Sequence, residues 1–141
     1  MATRIYELPS ASLVLVTRSY GPEFHLRFRT SIPDDEMSAL ATRLLDAALR
    51  LGSSWTLVIE EEGDNKPQLS LSSLQTLLDA FGERTSESRI RCSVVLVREV
   101  TPLVRMLFAV WAIFMKDKVG GAPVMLTDDE AAAYAWLLDP S

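Results

Sequence analysis

Hydrophobic positions along the chain recur with two alternating spacings, which indicates a succession of strands and helices. Phe24, Leu26 and Phe28 alternate with polar residues, as in a strand with one buried face. Continuous apolar runs at residues 55–59 and 92–97 are typical of strands covered on both faces. Between these strands, leucines and alanines recur every three or four residues, which predicts amphipathic helices.

The predicted elements begin with an antiparallel hairpin and then alternate strictly. Strands are predicted at residues 4–7, 13–17, 23–30, 55–59, 92–97 and 124–126. Helices are predicted at residues 33–51, 71–81, 102–118 and 128–138. Thr101 followed by Pro102 is typical of a helix start. The short strand at residues 4–7 is counted together with the strand at 13–17, so that two hairpin strands precede the first helix. The predicted order is then β-β-α-β-α-β-α-β-α. This order predicts an α/β fold with a mostly parallel sheet of about five strands and four helices.

The helix predicted at residues 102–118 is apolar on almost every side. A helix that covers one face of a sheet needs only one apolar stripe. We therefore predict a surface on this helix that binds a protein partner, either another protein or a second copy of the chain. Its residues are Val104, Phe108, Trp111 and Met115. The alternative is that this helix forms one wall of a cleft for a hydrophobic small molecule or lipid.

Length and composition narrow the classes of protein further. The 141 residues predict a single domain covering 1–141, and the net charge of −5 argues against nucleic acid as a partner. The longest apolar window, residues 103–115, is shorter than the roughly 20 residues of a membrane span and contains Arg105, so no integral membrane segment is predicted. No signal peptide is visible, and one cysteine, Cys92, fits a reducing compartment, so the expected location is cytoplasmic.

No pattern of catalytic residues or metal ligands is present, so we predict no enzymatic activity, no cofactor and no metal. The single histidine, His25, lies on the more polar side of a strand and is expected at the surface or on an edge strand. The acids at 60–62 are expected as solvated loop charges, because consecutive strand residues point to opposite faces and do not converge. Cys92 is expected in the core. An enzyme assembled from distant residues remains a third hypothesis.

A small basic stripe is predicted on the hairpin. It consists of Arg18, Arg27 and Arg29. Solvated strand charge is the simpler interpretation, and a docking patch for an acidic partner is the alternative.

The closing third of the chain resembles the STAS superfamily of sulfate-transporter and anti-sigma-factor-antagonist domains, in particular its SpoIIAA-like branch. The resemblance is carried by the strand RCSVVLV, the segment Thr-Pro-Leu-Val-Arg before a hydrophobic helix, the short strand PVMLT and the final DDEAAAYAWL. Residues 55–81 resemble the corresponding part of STAS domains less closely. The resemblance implies an α/β fold and a regulatory role exerted by binding rather than by catalysis.

The same resemblance implies a phosphorylation site. In anti-sigma antagonists a serine at the start of the second helix is phosphorylated, within a motif Asp-Ser-Ser-Gly that precedes leucines. Aligning the leucines places Ser72 at the phosphorylated position, with Ser70 in place of the aspartate and Ser73 in place of the glycine. The alternative is that these serines cap the helix.

Overall fold

Six strands form one sheet in which the spatial order of the strands follows the chain. The computed structural model describes residues 2–62, 70–84 and 90–141. The strands are β1 Ala2–Glu7, β2 Ala11–Arg18, β3 Gly21–Phe28, β4 Trp55–Glu61, β5 Ile90–Leu96 and β6 Val124–Thr127. The helices are α1 Asp34–Leu51, α2 Leu71–Glu83, α3 Pro102–Lys118 and α4 Glu130–Leu138.

The pairing of the strands changes character at β3. β1, β2 and β3 pair antiparallel, whereas β3, β4, β5 and β6 pair parallel through helical crossovers. The predicted α/β class, the mostly parallel sheet and the four helices are confirmed. The sheet has six strands rather than about five, because β1 pairs with β2 as a separate strand. Within the described residues, no helix has the length and apolar character required to cross a bilayer.

Helix α3 begins where the sequence predicts. The Thr101 hydroxyl accepts a hydrogen bond from the Val104 backbone N–H at 3.2 Å, and Pro102 occupies the first turn. This cap satisfies one of the backbone donors that a helix start leaves unpaired. The cap therefore determines that α3 begins directly after Thr101.

One face of the sheet carries a continuous apolar core beneath α1, α2 and α3. A line of aromatic rings crosses this core, with successive centroids 5.7–6.2 Å apart. The rings are those of Phe24, Trp55, Phe81, Trp111 and Phe114. Edge and offset contacts at such distances add to the stabilisation from burial.

The opposite face is covered only in part, by α4. Ala133 and Leu137 of α4 pack on Val58, Cys92 and Val94 of β4 and β5. Cys92 is fully buried there, as predicted, and burial raises the pKa of its thiol. The part of this face over β2, β3 and β4 carries the buried Val14 and Val16 and a group of polar side chains, described below.

Candidate functional site

A cleft opens between α2, α3 and the carboxyl ends of β3, β4 and β5, and it has a volume of about 210 Å³. Ligands of open α/β sheets commonly bind at this edge, outside the carboxyl ends of the strands. The cleft is lined by Phe28, Ile59, Glu60, Glu61, Leu74, Val95, Leu96, Val97, Arg98, Glu99, Thr101, Leu103, Val104, Leu107, Phe108 and Trp111.

The lining changes from apolar to polar between the closed and open ends of the cleft. Phe28, Leu74, Leu107 and Trp111 are buried and define the closed end. Of the charged lining residues, Glu60 and Glu61 end β4, whereas Arg98 and Glu99 follow β5 and are exposed, which places this edge of the sheet at the open end. An apolar interior with a few polar groups at one end is the usual construction of a small-molecule site.

The four residues predicted to form the surface of α3 divide into two pairs. Trp111 is 2% exposed and Met115 is 1% exposed, so the prediction that they lie on an outer surface is wrong. With Leu107 they recur every four residues on the side of α3 that faces the sheet, and the Trp111 indole N–H lies 3.3 Å from the Ser93 hydroxyl oxygen. A buried indole with a polar partner is a core residue.

Val104 and Phe108 form the second pair and are half-buried. Both line the cleft, as does Trp111, so the positions of these three residues agree with the alternative hypothesis that α3 is one wall of a ligand site. Sequence periodicity could not separate these two pairs, because the apolar residues of α3 surround the helix and leave its orientation undefined.

The face of α3 that points to solvent carries other apolar residues. Pro102, Met106, Ala109 and Ile113 are exposed, and 62% of Ile113 is accessible. Their spacing of four, three and four residues matches the contact seam of paired helices. The sequence therefore predicted excess apolar surface on α3 but assigned it to the wrong residues.

A chain of buried ionic side chains crosses the opposite face beside α4. His25 Nδ1 lies 2.9 Å from Glu60 Oε1, and His25 Nε2 lies 2.7 Å from Glu23 Oε2. The side chains of Glu23 and His25 are 0% and 1% exposed, and that of Glu60 is 14% exposed. We call Glu23, His25 and Glu60 the ion network. The expectation that His25 lies at the surface is wrong.

The geometry of the ion network determines the charge of the histidine. A neutral imidazole donates from one nitrogen only, whereas both nitrogens of His25 face carboxylate oxygens. Burial opposes the charge, but the hydrogen bonds and charges of the two carboxylates outweigh it and raise the pKa of His25. Burial likewise opposes ionisation of Glu23 and Glu60, and hydrogen bonds to His25 outweigh it and lower both carboxyl pKa values.

Arginine and tyrosine side chains close the two ends of the ion network. Arg27 Nε donates to Glu60 Oε1 at 2.6 Å, and Arg18 Nε donates to Glu23 Oε2 at 3.0 Å. The Tyr20 hydroxyl donates to the other oxygen of Glu23. Burial, followed by this hydrogen bond, raises the pKa of Tyr20, so the phenol keeps its proton.

These contacts test the predictions of a solvated acidic loop and of a basic stripe. Glu60 belongs to β4 and is paired, so the expectation that it is a solvated loop charge is wrong. Residues 63–67 of the predicted loop lie outside the described residues. The three arginines of the basic stripe each pair with a glutamate, Arg29 with Glu7. The strand-charge interpretation therefore accounts for them without an acidic partner.

The serines at the start of α2 have different surroundings. Ser70 is the N-cap and accepts from the Ser73 backbone N–H at 3.0 Å, which confirms capping for this residue. Ser73 is buried and donates to the Ile32 carbonyl at 3.0 Å. Ser72 is exposed and donates to Asp34 Oδ2 at 2.6 Å. Phosphorylation of Ser72 remains a prediction; a phosphate there would meet the negative charge of Asp34.

A local signal for the ion network exists in the sequence. Glu23, His25 and Arg27 alternate on one side of β3, so their side chains must share a face. Their partner Glu60 comes from β4, 35 residues after His25, and only the register of the parallel pair brings it alongside. Among the residues that the structure describes, no group of three or more His, Cys, Asp and Glu side chains has an arrangement that could hold a metal ion.

Comparisons of the chain with protein-family models, with curated proteins and with solved structures give no match.

Proposed function

We propose that the protein is a non-enzymatic binding domain that holds a small hydrophobic molecule in the cleft beneath α3, as a carrier or a sensor. The observation that carries this proposal is the apolar cavity of about 210 Å³ at the carboxyl ends of β3, β4 and β5. An apolar cavity of roughly 150 Å³ in another protein is dry and binds benzene. The cleft therefore has room for a ring-sized group.

The positions of the predicted surface residues support a ligand over a partner as the occupant. Trp111 lines the cleft and is enclosed by the core, so it is available to a small molecule and not to a second protein. Val104 and Phe108 line the same cleft. The hydrophobic character of α3 on this side is accounted for by the cleft that it covers.

A cavity-filling variant tests the proposal, with toluene as the probe. Val104→Phe places a ring in the cleft, whereas Val110→Phe enlarges another half-buried valine of α3 that packs on the core without lining the cleft. Toluene is expected to raise the thermal midpoint of the wild type and of Val110→Phe but not of Val104→Phe. At ten times Kd the stabilisation is about 1.4 kcal/mol.

Two further results bear on the same proposal. Native mass spectrometry of freshly purified protein is expected to show a bound small molecule that Val104→Phe loses. Absence of toluene binding to the wild type, judged by midpoint and by backbone amide chemical shifts up to the solubility limit, overturns the proposal.

The exposed seam of α3 favours a second candidate function, binding of a protein partner through the helix at 102–118. Met106, Ala109 and Ile113 lie on this seam, and a second copy of the chain is the simplest partner for it. A single helix face buries less than the standard 1,200–2,000 Å² of a stable interface, so we expect a weak dimer.

Light scattering as a function of concentration tests this candidate. A dimer is expected at high micromolar concentration and is expected to be lost in Ile113→Glu. Trp111→Glu is not suitable for this test, because Trp111 lies in the core. A wild type that stays monomeric throughout would exclude self-association.

A regulatory role in the cytoplasm belongs to the same proposal and rests on the STAS-like resemblance. The strand–helix alternation after β3 and the closing segment at 90–138 support it. In such a domain, the occupied cleft would be the input and a surface such as the α3 seam would be the output.

A further inference from the structure

The open end of the cleft carries four charged residues, and two of them are already engaged. Glu60 accepts from His25 and Arg27 within the ion network on the other side of the sheet. Glu99 also has an interaction of its own. The remaining two are Glu61 and Arg98, which come from the ends of the neighbouring strands β4 and β5.

Glu61 has an unusual environment for a carboxylate. Side chains alternate along β4, so Glu61 shares the helix face of the sheet with Leu57 and Ile59. It is half-buried and lines the cleft, yet it makes no hydrogen bond or ion pair with any described residue. A half-buried carboxylate without a donor loses part of its hydration without compensation.

Arg98 lies at the same edge in the segment after β5, where it is exposed to solvent, and it has no partner among the described residues. Glu61 and Arg98 do not pair with each other, although both line one cleft and their charges are opposite. A negative and a positive group thus lie at the mouth of one apolar cavity, and neither is bonded to another described residue.

From this arrangement, and on the basis of the proposed ligand cleft, we infer that the ligand is a small zwitterion with an apolar body, the chemistry of a free apolar amino acid. Its ammonium group would bind Glu61, its carboxylate would bind Arg98, and its side chain would occupy the apolar end. A plain hydrocarbon leaves both charges unpaired. A fatty acid places a carboxylate beside Glu61, and a simple amine places a cation beside Arg98.

Four probes that share a phenyl ring test this inference by calorimetry or NMR titration. Phenylalanine carries both charges, 2-phenylethylamine only the ammonium, 3-phenylpropanoate only the carboxylate, and toluene neither. Phenylalanine is expected to bind about tenfold or more tightly than each singly charged probe, because each charge-assisted hydrogen bond contributes about one decade in Kd.

Two variants and two matched controls assign the effect to the named residues. Glu61→Gln and Arg98→Gln are each expected to weaken phenylalanine binding about tenfold while leaving toluene binding unchanged. Glu62→Gln is the control for Glu61→Gln, because the neighbouring Glu62 carboxylate accepts a hydrogen bond from Ser12 and does not line the cleft. Arg105→Gln removes an exposed charge of α3 outside the lining. Neither control is expected to change binding of phenylalanine.

The outcomes separate this inference from the function on which it rests. If toluene binds and phenylalanine binds no more tightly than the singly charged probes, the zwitterion inference is wrong and the apolar cleft stands. The same holds if Glu61→Gln and Arg98→Gln behave like their controls. If toluene itself fails to bind the wild type, the cleft proposal is wrong and the inference falls with it.

Discussion

The two faces of the sheet are built by different physical means. On the helix face, side chains from three helices and the strands make an apolar core that contains a line of aromatic rings. On the other face, the part over β2, β3 and β4 contains the ion network, in which both imidazole nitrogens of His25 face carboxylates, beside the buried Val14 and Val16. Apolar contact is non-directional, whereas the ion network requires specific donors at specific distances.

This difference explains where a binding site can arise. Apolar packing tolerates a void at the edge of the helix layer, because a missing neighbour loses contacts without leaving a charge unpaired. The ion network tolerates no such gap, because each missing partner would expose a buried charge to an apolar environment. The cleft accordingly lies on the helix face, and its charged open end adjoins β4 at Glu60, which also belongs to the ion network.

The largest expected effect is on the helix face. Trp111→Ala removes a buried ring that contacts Phe81 and Phe114 and is expected to lower the free energy of unfolding by about 3–5 kcal/mol, because it loses burial and leaves a cavity. Urea denaturation measures this loss. Ile113→Ala, at an exposed position of the same helix, is the control and is expected to cost far less. Equal losses would contradict the assigned orientation of α3.

On the opposite face, Glu23→Ala is expected to lower the free energy of unfolding by about 3 kcal/mol, because it removes one partner of a buried ionic pair. His25 can release its proton in response, which limits the loss.

Replacement of the whole ion network tests whether an unpaired charge, and not the loss of the network itself, destabilises this face of the sheet. Glu23, His25 and Glu60 changed together to valine are expected to cost less than Glu23→Ala alone, because no charge within the network is then left unpaired. Urea denaturation at one pH measures both variants. A triple variant less stable than Glu23→Ala would contradict this expectation, because an unpaired buried charge would then cost less than removal of the whole network.

The pH dependence of stability distinguishes the ion network from the apolar core. The raised pKa of His25 means that its contribution is fully present below the unfolded value of 6.5 and is lost as pH rises through the folded value. The lowered pKa values of Glu23 and Glu60 mean that their contributions are present above 4.5 and are lost as pH falls through the folded values. Stability is therefore expected to peak between these limits.

The single histidine makes this prediction directly measurable. The one imidazole Cε1–H signal in the NMR spectrum is expected to titrate above 6.5 in the wild type, and Glu60→Gln is expected to move that midpoint down. His25→Gln is expected to remove the alkaline limb of the stability curve. A histidine that titrates below 6.5 in the folded protein would contradict the assigned charge.

The smallest expected effect is at the solvent end of the ion network. About a third of the Arg27 side chain is exposed, 35%, so its pair with Glu60 is screened by water. Arg27→Gln is expected to cost about 0.5–1 kcal/mol, and less at high salt. A cost as large as that of Glu23→Ala would indicate that Arg27 is part of the buried layer.

Local sequence signals determined the order of the elements and the class of the fold. Thr101 and Pro102 define the start of α3, and the period-two pattern of Phe24, Leu26 and Phe28 defines a half-buried strand, because capping and alternation involve near neighbours along the chain. The sequence also predicted the excess of apolar residues on α3 and the position of Cys92 in the core.

Only the tertiary structure decided which apolar residues of α3 are covered and which polar residues of the strands are buried. Trp111 and Met115 turn inward because α3 packs beside α2 at the β5–β6 side of the sheet, and His25 is enclosed because the β3–β4 register brings Glu60 alongside it. The opening between α2 and α3 likewise depends on how far apart two helices sit on a sheet. Such facts depend on contacts between residues distant in the chain, and the sequence specifies these only through the whole packed fold.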